Sequence, residues 1–476
     1  MALIKASTRY GVVSGVRCEN SKNTIFKGIP YAKPPVGKLR FAPPQSPDPW
    51  EGVRVCDTWS SACIQQNRRH SPESEKLNTS EDCLYLNIWT PAESPDEKLP
   101  VMFWIHGGGF CNGAGFQKEF DGEAMNRRGV ILVTVNYRCG VLGFLALPQL
   151  TAASPMHASG NYGIQDEIMA LKWVRENISA FGGDAGNITA FGQSAGGIST
   201  RMLLVSPLCR GLFQHAIVQS GGGLNEADAV RPLEEMSEIC DKARLSLGFS
   251  LDDLMQKDAE EVHARMSEAV DTILEKKELF FFQPCIDGYS LFDVPGKSIH
   301  DGRFADMDIM CGTVSGDSMM FTRKVRDNLT DNPAAQRAFA YTPGISWARH
   351  QIRTGRKPIY TYFFERNLPG DSRGAPHASE LGYMFGTLSR LDRPWEPLDY
   401  ALSEAMLDYW TNFAKHGSPN GGNQPAWTPF TEEAPFTMDI SDNGLAVKDL
   451  TDNAEAEKVV AFIEAHPGFL VSLKDF

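Results

Sequence analysis

The stretch VMFWI, Val101–Ile105, is apolar at every position and runs straight into HGGGF. A strand with no polar face must be covered on both sides, and sheets of that kind lie between two layers of helices. The pattern recurs in VILVTV (Val130–Val135), NITAF (Asn187–Phe191), HAIVQS (His215–Ser220), DIMCG (Asp308–Gly312) and IYTYFF (Ile359–Phe364). Between the second and third runs lies IQDEIMALKWVRENIS. Its Ile164, Ile168, Leu171, Val174 and Ile178 fall three or four apart and make one apolar helical face. That is the crossover helix of a strand–helix–strand unit. The alternation predicts an α/β fold with a central, mostly parallel, twisted sheet flanked by helices.

No repeat, low-complexity tract or Pro/Gly/Ser-rich linker divides the chain, so residues 1–476 read as one decorated domain. From Asn225 to about residue 280 the pattern is helical and charged (EEMSEICDKARLSLG, EEVHARMSEAV). This region reads as a helical insertion covering the active-site end of the sheet. LSEAMLDYWTNFAKHG and NAEAEKVVAFIEAH are further amphipathic helices.

Gly192-Gln193-Ser194-Ala195-Gly196 has the form G-x-S-x-G, placed after a buried strand and before a helical run beginning near Gly197. A strand-to-helix turn this sharp strains its central residue and lifts the side chain to the carboxyl edge of the sheet. There a hydroxyl stands beside a helix N-terminus, which favours developing negative charge. WIHGGGF (Trp104–Phe110) supplies the second signal. Its glycines let backbone N–H groups turn toward a substrate oxygen, as acyl transfer through a tetrahedral intermediate requires. Gly108, Gly109 and Ala195 are the candidate donors of an oxyanion hole, and His106 shapes the loop. An ordinary glycine turn would carry the same letters; the pairing with the serine turn favours the chemical reading.

A serine nucleophile needs a base, and the base needs an acid to orient it. After this type of turn the chain order is Ser, then Asp or Glu, then His. Seven histidines follow Ser194: His215, His263, His300, His350, His377, His416 and His466. His263 and His466 fall in helical patterns and read as solvated. His416 ends a helix, where a cation suits the dipole. His377, in GAPHASELGYMFG, sits in a loop after the strand IYTYFF and is the candidate base. Asp317 is the only carboxylate in CGTVSGDSMMF, the turn that ends the strand DIMCG, and is the candidate acid.

The net charge of −13 argues against nucleic acid or an anionic membrane as the main partner, since both call for clustered Lys and Arg. No run approaches the eighteen or so apolar residues of a membrane span, and MALIKASTRYGVVSG lacks a signal-peptide core. These features point to the cytoplasm, although a secreted chain with its signal removed would read the same. Ten cysteines include no C-x-x-C pair, so no metal site is expected. They read as buried thiols, of which Cys63 and Cys83 could close a loop in an oxidising compartment.

Taken together, FKGIPYAKPPVGKLRFAPPQ, TSEDCLYLNIWTP, WIHGGGF, NYRCGVLGFL, GNYGIQDEIMALKWVRENISAFGGD, FGQSAGG, GAPHASELGYMFG and YWTNFAKHGSPN resemble the type-B carboxylesterase family. This is the α/β-hydrolase group that includes cholinesterases and bacterial para-nitrobenzyl esterases. The resemblance implies an α/β-hydrolase fold, a Ser194–Asp317–His377 triad and an oxyanion hole from Gly108, Gly109 and Ala195. It also implies structural ion pairs Arg40–Glu81 and Arg138–Asp166, and places Ser220 near the triad as a hydrogen-bonding group. No cofactor is called for. Three departures stand out, one being that Asp317 and His377 lie unusually close in sequence for the family, a shortened segment that would open the substrate cleft. Gln193 replaces the family's usual Glu, which removes negative charge beside the acyl site and disfavours cationic choline esters. Asp317 replaces the usual Glu of the triad, so its loop must come closer to His377.

The expected activity is hydrolysis of small to medium uncharged carboxylic esters through an acyl-enzyme. An amidase or carbamate hydrolase with the same triad, and a non-catalytic cholinesterase-like adhesion protein, are the rival readings. Phe280, Phe281 and Phe282 in ELFFFQP could line a substrate pocket, though core packing is the plainer reading. The oligomeric state is not legible from the sequence.

Overall fold

The computed structural model describes residues 2–18, 21–65, 77–226, 230–276, 280–317, 333–371 and 374–468. Its centre is an eleven-stranded sheet. The strands in chain order are β1 (Val16–Arg17), β2 (Thr24–Pro30), β3 (Tyr85–Thr90), β4 (Leu99–Ile105), β5 (Ile131–Val135) and β6 (Gly183–Gln193). They continue with β7 (His215–Gln219), β8 (Asp308–Val314), β9 (Ile359–Phe364), β10 (Phe436–Ser441) and β11 (Gly444–Asp449). Across the sheet they run β11-β10-β9-β8-β7-β6-β4-β5-β3-β2-β1.

The stretch from β5 to β10 pairs in parallel throughout. Antiparallel strands flank it, β11 at one side and β3, β2 and β1 at the other. The six apolar runs of the sequence become β4 to β9. The outer strands β1 to β3, β10 and β11 are not among those runs, and in β3 and β10 buried polar residues break the apolar pattern. Asn87 in β3 bonds across the sheet to Thr134 and to the Gly28 N–H, and Asp439 in β10 pairs with Lys448 in β11.

Strand β4 shows why such a sequence must be sandwiched. Val101, Phe103 and Ile105 enter one hydrophobic core, and Met102 and Trp104 enter the core on the opposite face. The first core is closed by α1 (Tyr162–Asn177), α2 (Ala195–Val205) and later α5 (Pro333–Arg353) and α7 (Ala454–Ala465). The second is closed by α6 (Pro397–His416), through Leu402, Met406, Tyr409, Trp410 and Phe413. All five apolar residues read from the crossover helix segment are buried, at 3% exposure or less. Each such side chain contributes about 1.5–3 kcal/mol by leaving water.

The inserted region holds α3 (Leu233–Ser246), the short helix Leu251–Gln256 and α4 (Ala259–Ile273). It is not wholly helical: Arg231–Pro232 pairs in parallel with Cys285–Ile286, a contact between distant segments that no local pattern announces. Met236, Cys240, Val262 and Met266 share the core of the main sheet. Arg40 ties the N-terminal part to this region by donating to the carbonyls of Leu254 and Lys257, while its other nitrogens grip Glu81 at 2.6 and 2.8 Å. Arg138 and Asp166, both buried, form a second bidentate pair at 2.7 and 2.8 Å. Both ion pairs stand where the sequence resemblance put them.

His263 corrects one expectation. It is buried rather than solvated, because it lies beside Val262 and one helical turn from Met266 on the inward face of α4, with its ring against Gly140. Among the described residues no helix is long and apolar enough to cross a membrane.

Candidate active site

Strand β4 lies between β5 and β6, so the direction of chain crossover reverses beside it. Crevices at the carboxyl ends of strands at such a reversal are where open α/β sheets bind ligands. Both sequence motifs emerge there, the glycine loop from β4 and Ser194 from β6.

Ser194 joins β6 to α2 with φ 58° and ψ −125°, a region that side-chain-bearing residues avoid. The turn is held from both sides: Ser194 N–H donates to Gln219 O at the end of β7, and Ser194 O accepts from Ile198 N–H, each at 2.9 Å. The motif glycines are needed for contact. A Cβ on Gly196 would lie 2.0 Å from the Ile105 carbonyl oxygen, and one on Gly192 would lie 2.4 Å from the Gly196 backbone. The first turn of α2 therefore presses directly on β4 and β6, and the serine is left half-buried at the sheet edge.

In the glycine loop, Gly108 and Gly109 have φ of 119° and 63°. Gly108 O accepts the N–H groups of Cys111 and Asn112, both at 3.2 Å. The far side of the loop is clamped by Gln65, which exchanges two hydrogen bonds with the Gly113 backbone. Among the described residues the N–H groups of Gly108, Gly109 and Ala195 donate to no protein acceptor. His106 is buried, stacks on Tyr137 at 4.4 Å and donates Nδ1–H to Gly107 O at 2.8 Å. Burial lowers its pKa to about 4, so it is neutral in ordinary buffers.

His377 and Asp317 come from the loops after β9 and β8. Ser315 N–H donates to Phe364 O, and Gly316 N–H to Ala375 O at 2.8 Å, so the two loops are stitched together. Asp317 is fully buried; its Oδ2 accepts Val314 N–H at 3.1 Å and its Oδ1 lies 2.5 Å from His377 Nδ1. The other ring nitrogen, Nε2, lies 3.2 Å from the side-chain nitrogen of Gln193, the residue before Ser194.

Three neighbours escaped the sequence reading. Glu380, three residues after His377, is fully buried, and its Oε1 accepts from Gln219 Nε2 at 3.3 Å. Gln219 Oε1 in turn accepts from Trp410 Nε1 at 3.1 Å. Burial, and then the charge of Asp317, push the Glu380 carboxyl up to about 7. The only available signal was its place in the quoted block GAPHASELGYMFG. Ser220, by contrast, was expected from the resemblance as a hydrogen-bonding group near the triad, and this is corrected: it stands at the end of β7 with φ 50°, and its buried hydroxyl makes no hydrogen bond among the described residues.

Of the three phenylalanines, Phe281 and Phe282 are core residues, whereas the half-buried Phe280 ring packs on the glycine loop, where a Cβ on Gly109 would lie 2.2 Å from it. All ten cysteines are free. Cys63 and Cys83 are buried together with Cys139, whose N–H donates to Cys63 Sγ at 3.3 Å. Among the described residues no group of three or more His, Cys, Asp or Glu side chains is placed to hold a metal ion.

A strained serine turn at the carboxyl edge of a parallel sheet, with a buried carboxylate and an imidazole on two later loops, follows the plan of the α/β hydrolases. The sequence matches the carboxylesterase family over residues 3–342 and 334–459. It is 35% identical to the fumonisin B1 esterase of Sphingopyxis macrogoltabida, over 89% of this chain and 84% of that protein. It is 34% identical to the para-nitrobenzyl esterase of Bacillus subtilis, over 95% and 98%. A solved para-nitrobenzyl esterase structure superimposes with a TM-score of 0.83 at 32% identity, covering 96% of this chain and 99% of its own. A carboxylesterase of Geobacillus stearothermophilus does so with a TM-score of 0.80 at 31% identity and the same coverage. The chain belongs to the carboxylesterase family. It is an enzyme that hydrolyses small-molecule carboxylic esters.

Proposed function

We propose that Ser194, His377 and Asp317 form the catalytic triad and that the N–H groups of Gly108, Gly109 and Ala195 form the oxyanion hole. The observation that carries this reading is the 2.5 Å contact of Asp317 with His377 Nδ1, with the opposite ring nitrogen on the Gln193–Ser194 turn. Asp317 fixes the tautomer, so Nε2 is the basic nitrogen. His377 takes the Ser194 proton as Oγ attacks the ester carbonyl, the three amides receive the charge that develops on the carbonyl oxygen, and His377 returns the proton to the leaving alcohol. Water then releases the acid from Ser194 by the same steps in reverse order.

Substrates in this reading are small to medium uncharged esters. Gln193 offers no negative charge to a cationic alcohol, and the Phe280 ring beside Gly109 gives one wall of the site an apolar surface. Rates on aryl esters of graded acyl length, with a choline ester and fumonisin B1 included, define the range. We take the whole chain as one catalytic unit, because the helices between 225 and 280 share the core of the sheet. A cytoplasmic location is supported by ten free thiols, and a small neutral substrate rather than nucleic acid by the net charge of −13.

The deciding experiment is Ser194→Ala. The variant should retain wild-type circular dichroism and lose the burst of p-nitrophenol from p-nitrophenyl acetate, with kcat falling by about 10⁴-fold or more. Turnover at the wild-type rate would place the nucleophile elsewhere.

A further inference from the structure

Asp317 in its carboxylate form can only accept hydrogen bonds, so at 2.5 Å it draws the His377 proton to Nδ1. In the neutral ring Nε2 then carries a lone pair and no hydrogen, so a group hydrogen-bonded to it at 3.2 Å must be a donor. That group is the carboxamide nitrogen of Gln193. The side chain has little freedom: Gln193 is 2% exposed, and its oxygen faces the glycine loop, 3.2 Å from where a Gly107 Cβ would stand. If His377 is protonated, Nε2 gains a hydrogen and meets the amide N–H groups donor against donor.

We propose that Gln193 is a positioning residue for the base: in the resting enzyme its amide holds His377 Nε2 on the nucleophile turn and disfavours its protonation, and it yields that lone pair to the Ser194 hydroxyl as the ester is attacked, so that the esterase keeps its activity into mildly acid solution. The proposal rests on the triad reading above. Other groups face the ring and enter the same balance. Asp317, from the loop after β8, favours the protonated ring. Glu380, from the turn after His377, does so only once ionised. The free N–H groups at the start of α2 oppose a cation. A glutamate at 193 would place a second carboxylate on the opposite side of the ring and tip this balance toward the cation, because an opposite charge within about 4–6 Å favours the charged form by one to three pH units.

The test is the acid limb of kcat/KM for a neutral aryl acetate between pH 4.5 and 9, in wild type, Gln193→Met and Gln193→Glu. Methionine keeps the volume and removes the N–H. Its midpoint should rise by about half a unit, as expected for the loss of one hydrogen bond to the neutral ring, and that of Gln193→Glu by about one unit or more. The series is repeated in a Glu380→Gln background, since Glu380 titrates in the same range. Gln193→Asn, whose amide is too short to reach Nε2, replaces either variant that fails to fold and should shift as methionine does. Equal midpoints in all variants overturn the proposal, and so does a shift for glutamate without one for methionine. Full activity in Ser194→Ala would sink the triad reading instead, whatever the Gln193 series shows.

Discussion

Glu380 offers the sharpest quantitative test of how the site is built. Its carboxyl is wholly removed from water, accepts one side-chain hydrogen bond from Gln219, and leaves Oε2 without a partner among the described residues. In the unfolded chain it ionises near 4.5, and in the folded protein near 7. The folded value is the higher one, so between those pH values the folded state holds a proton that the unfolded state has released. Stability from this group is therefore complete below pH 4.5 and is lost as pH rises through 7. The gap corresponds to about 3 kcal/mol. Glu380→Gln removes the titration while its amide oxygen can still accept from Gln219. The variant should match wild type within about 1 kcal/mol at pH 4 and exceed it by about 3 kcal/mol more at pH 8. Urea unfolding followed by the fluorescence of the nine tryptophans, at constant ionic strength, gives the difference from the midpoints and the common slope. A difference that stays flat from pH 4 to pH 8 would refute the buried, unionised carboxyl.

Two further substitutions test other parts of the framework. Gly109→Ala combines a φ of 63° with a Cβ placed 2.2 Å from the Phe280 ring, so the glycine loop must move. A fall in kcat of about 10²–10³-fold is expected with circular dichroism unchanged, and steady-state kinetics on an aryl acetate measure it. Asp166→Asn leaves the buried Arg138 guanidinium without its counter-charge and should cost about 3–5 kcal/mol in the same urea assay.

The parallel half of the fold was legible because its strands are covered on both faces. A residue pattern with no polar side has one stable setting, and VMFWI, VILVTV, NITAF, HAIVQS, DIMCG and IYTYFF all found it. The rest was hidden by partners distant in sequence. Asn87 and Asp439 are buried in β3 and β10 only because Thr134 and Lys448 meet them across the sheet. Helix α5 carries Pro343 and Gly344 in its interior, residues that local propensity assigns to a break. Its burial of Ala338, Ala340, Ile345 and Trp347 against the sheet overrides that preference.

The site divides along the same line. Ser194 and the glycine loop announce themselves because a sharp turn and a close backbone approach each demand particular residues in a row. His377 and Asp317 could be reached by chain order and by their positions after strands. Glu380 and Gln219 could not, since a glutamate beside a helix start and a glutamine ending a strand are ordinary letters until folding sets them together under Asp317. The same holds for Gln193. Its sequence position shows only that a carboxylate is missing, whereas the 3.2 Å contact with His377 gives the amide a direction and therefore a sign. A donor on Nε2 and a carboxylate on Nδ1 pull the ring's protonation in opposite senses, and with His377 as the proposed base the acid limit of activity would follow from their difference. Reading that difference requires the coordinates of both, because neither residue alone fixes it.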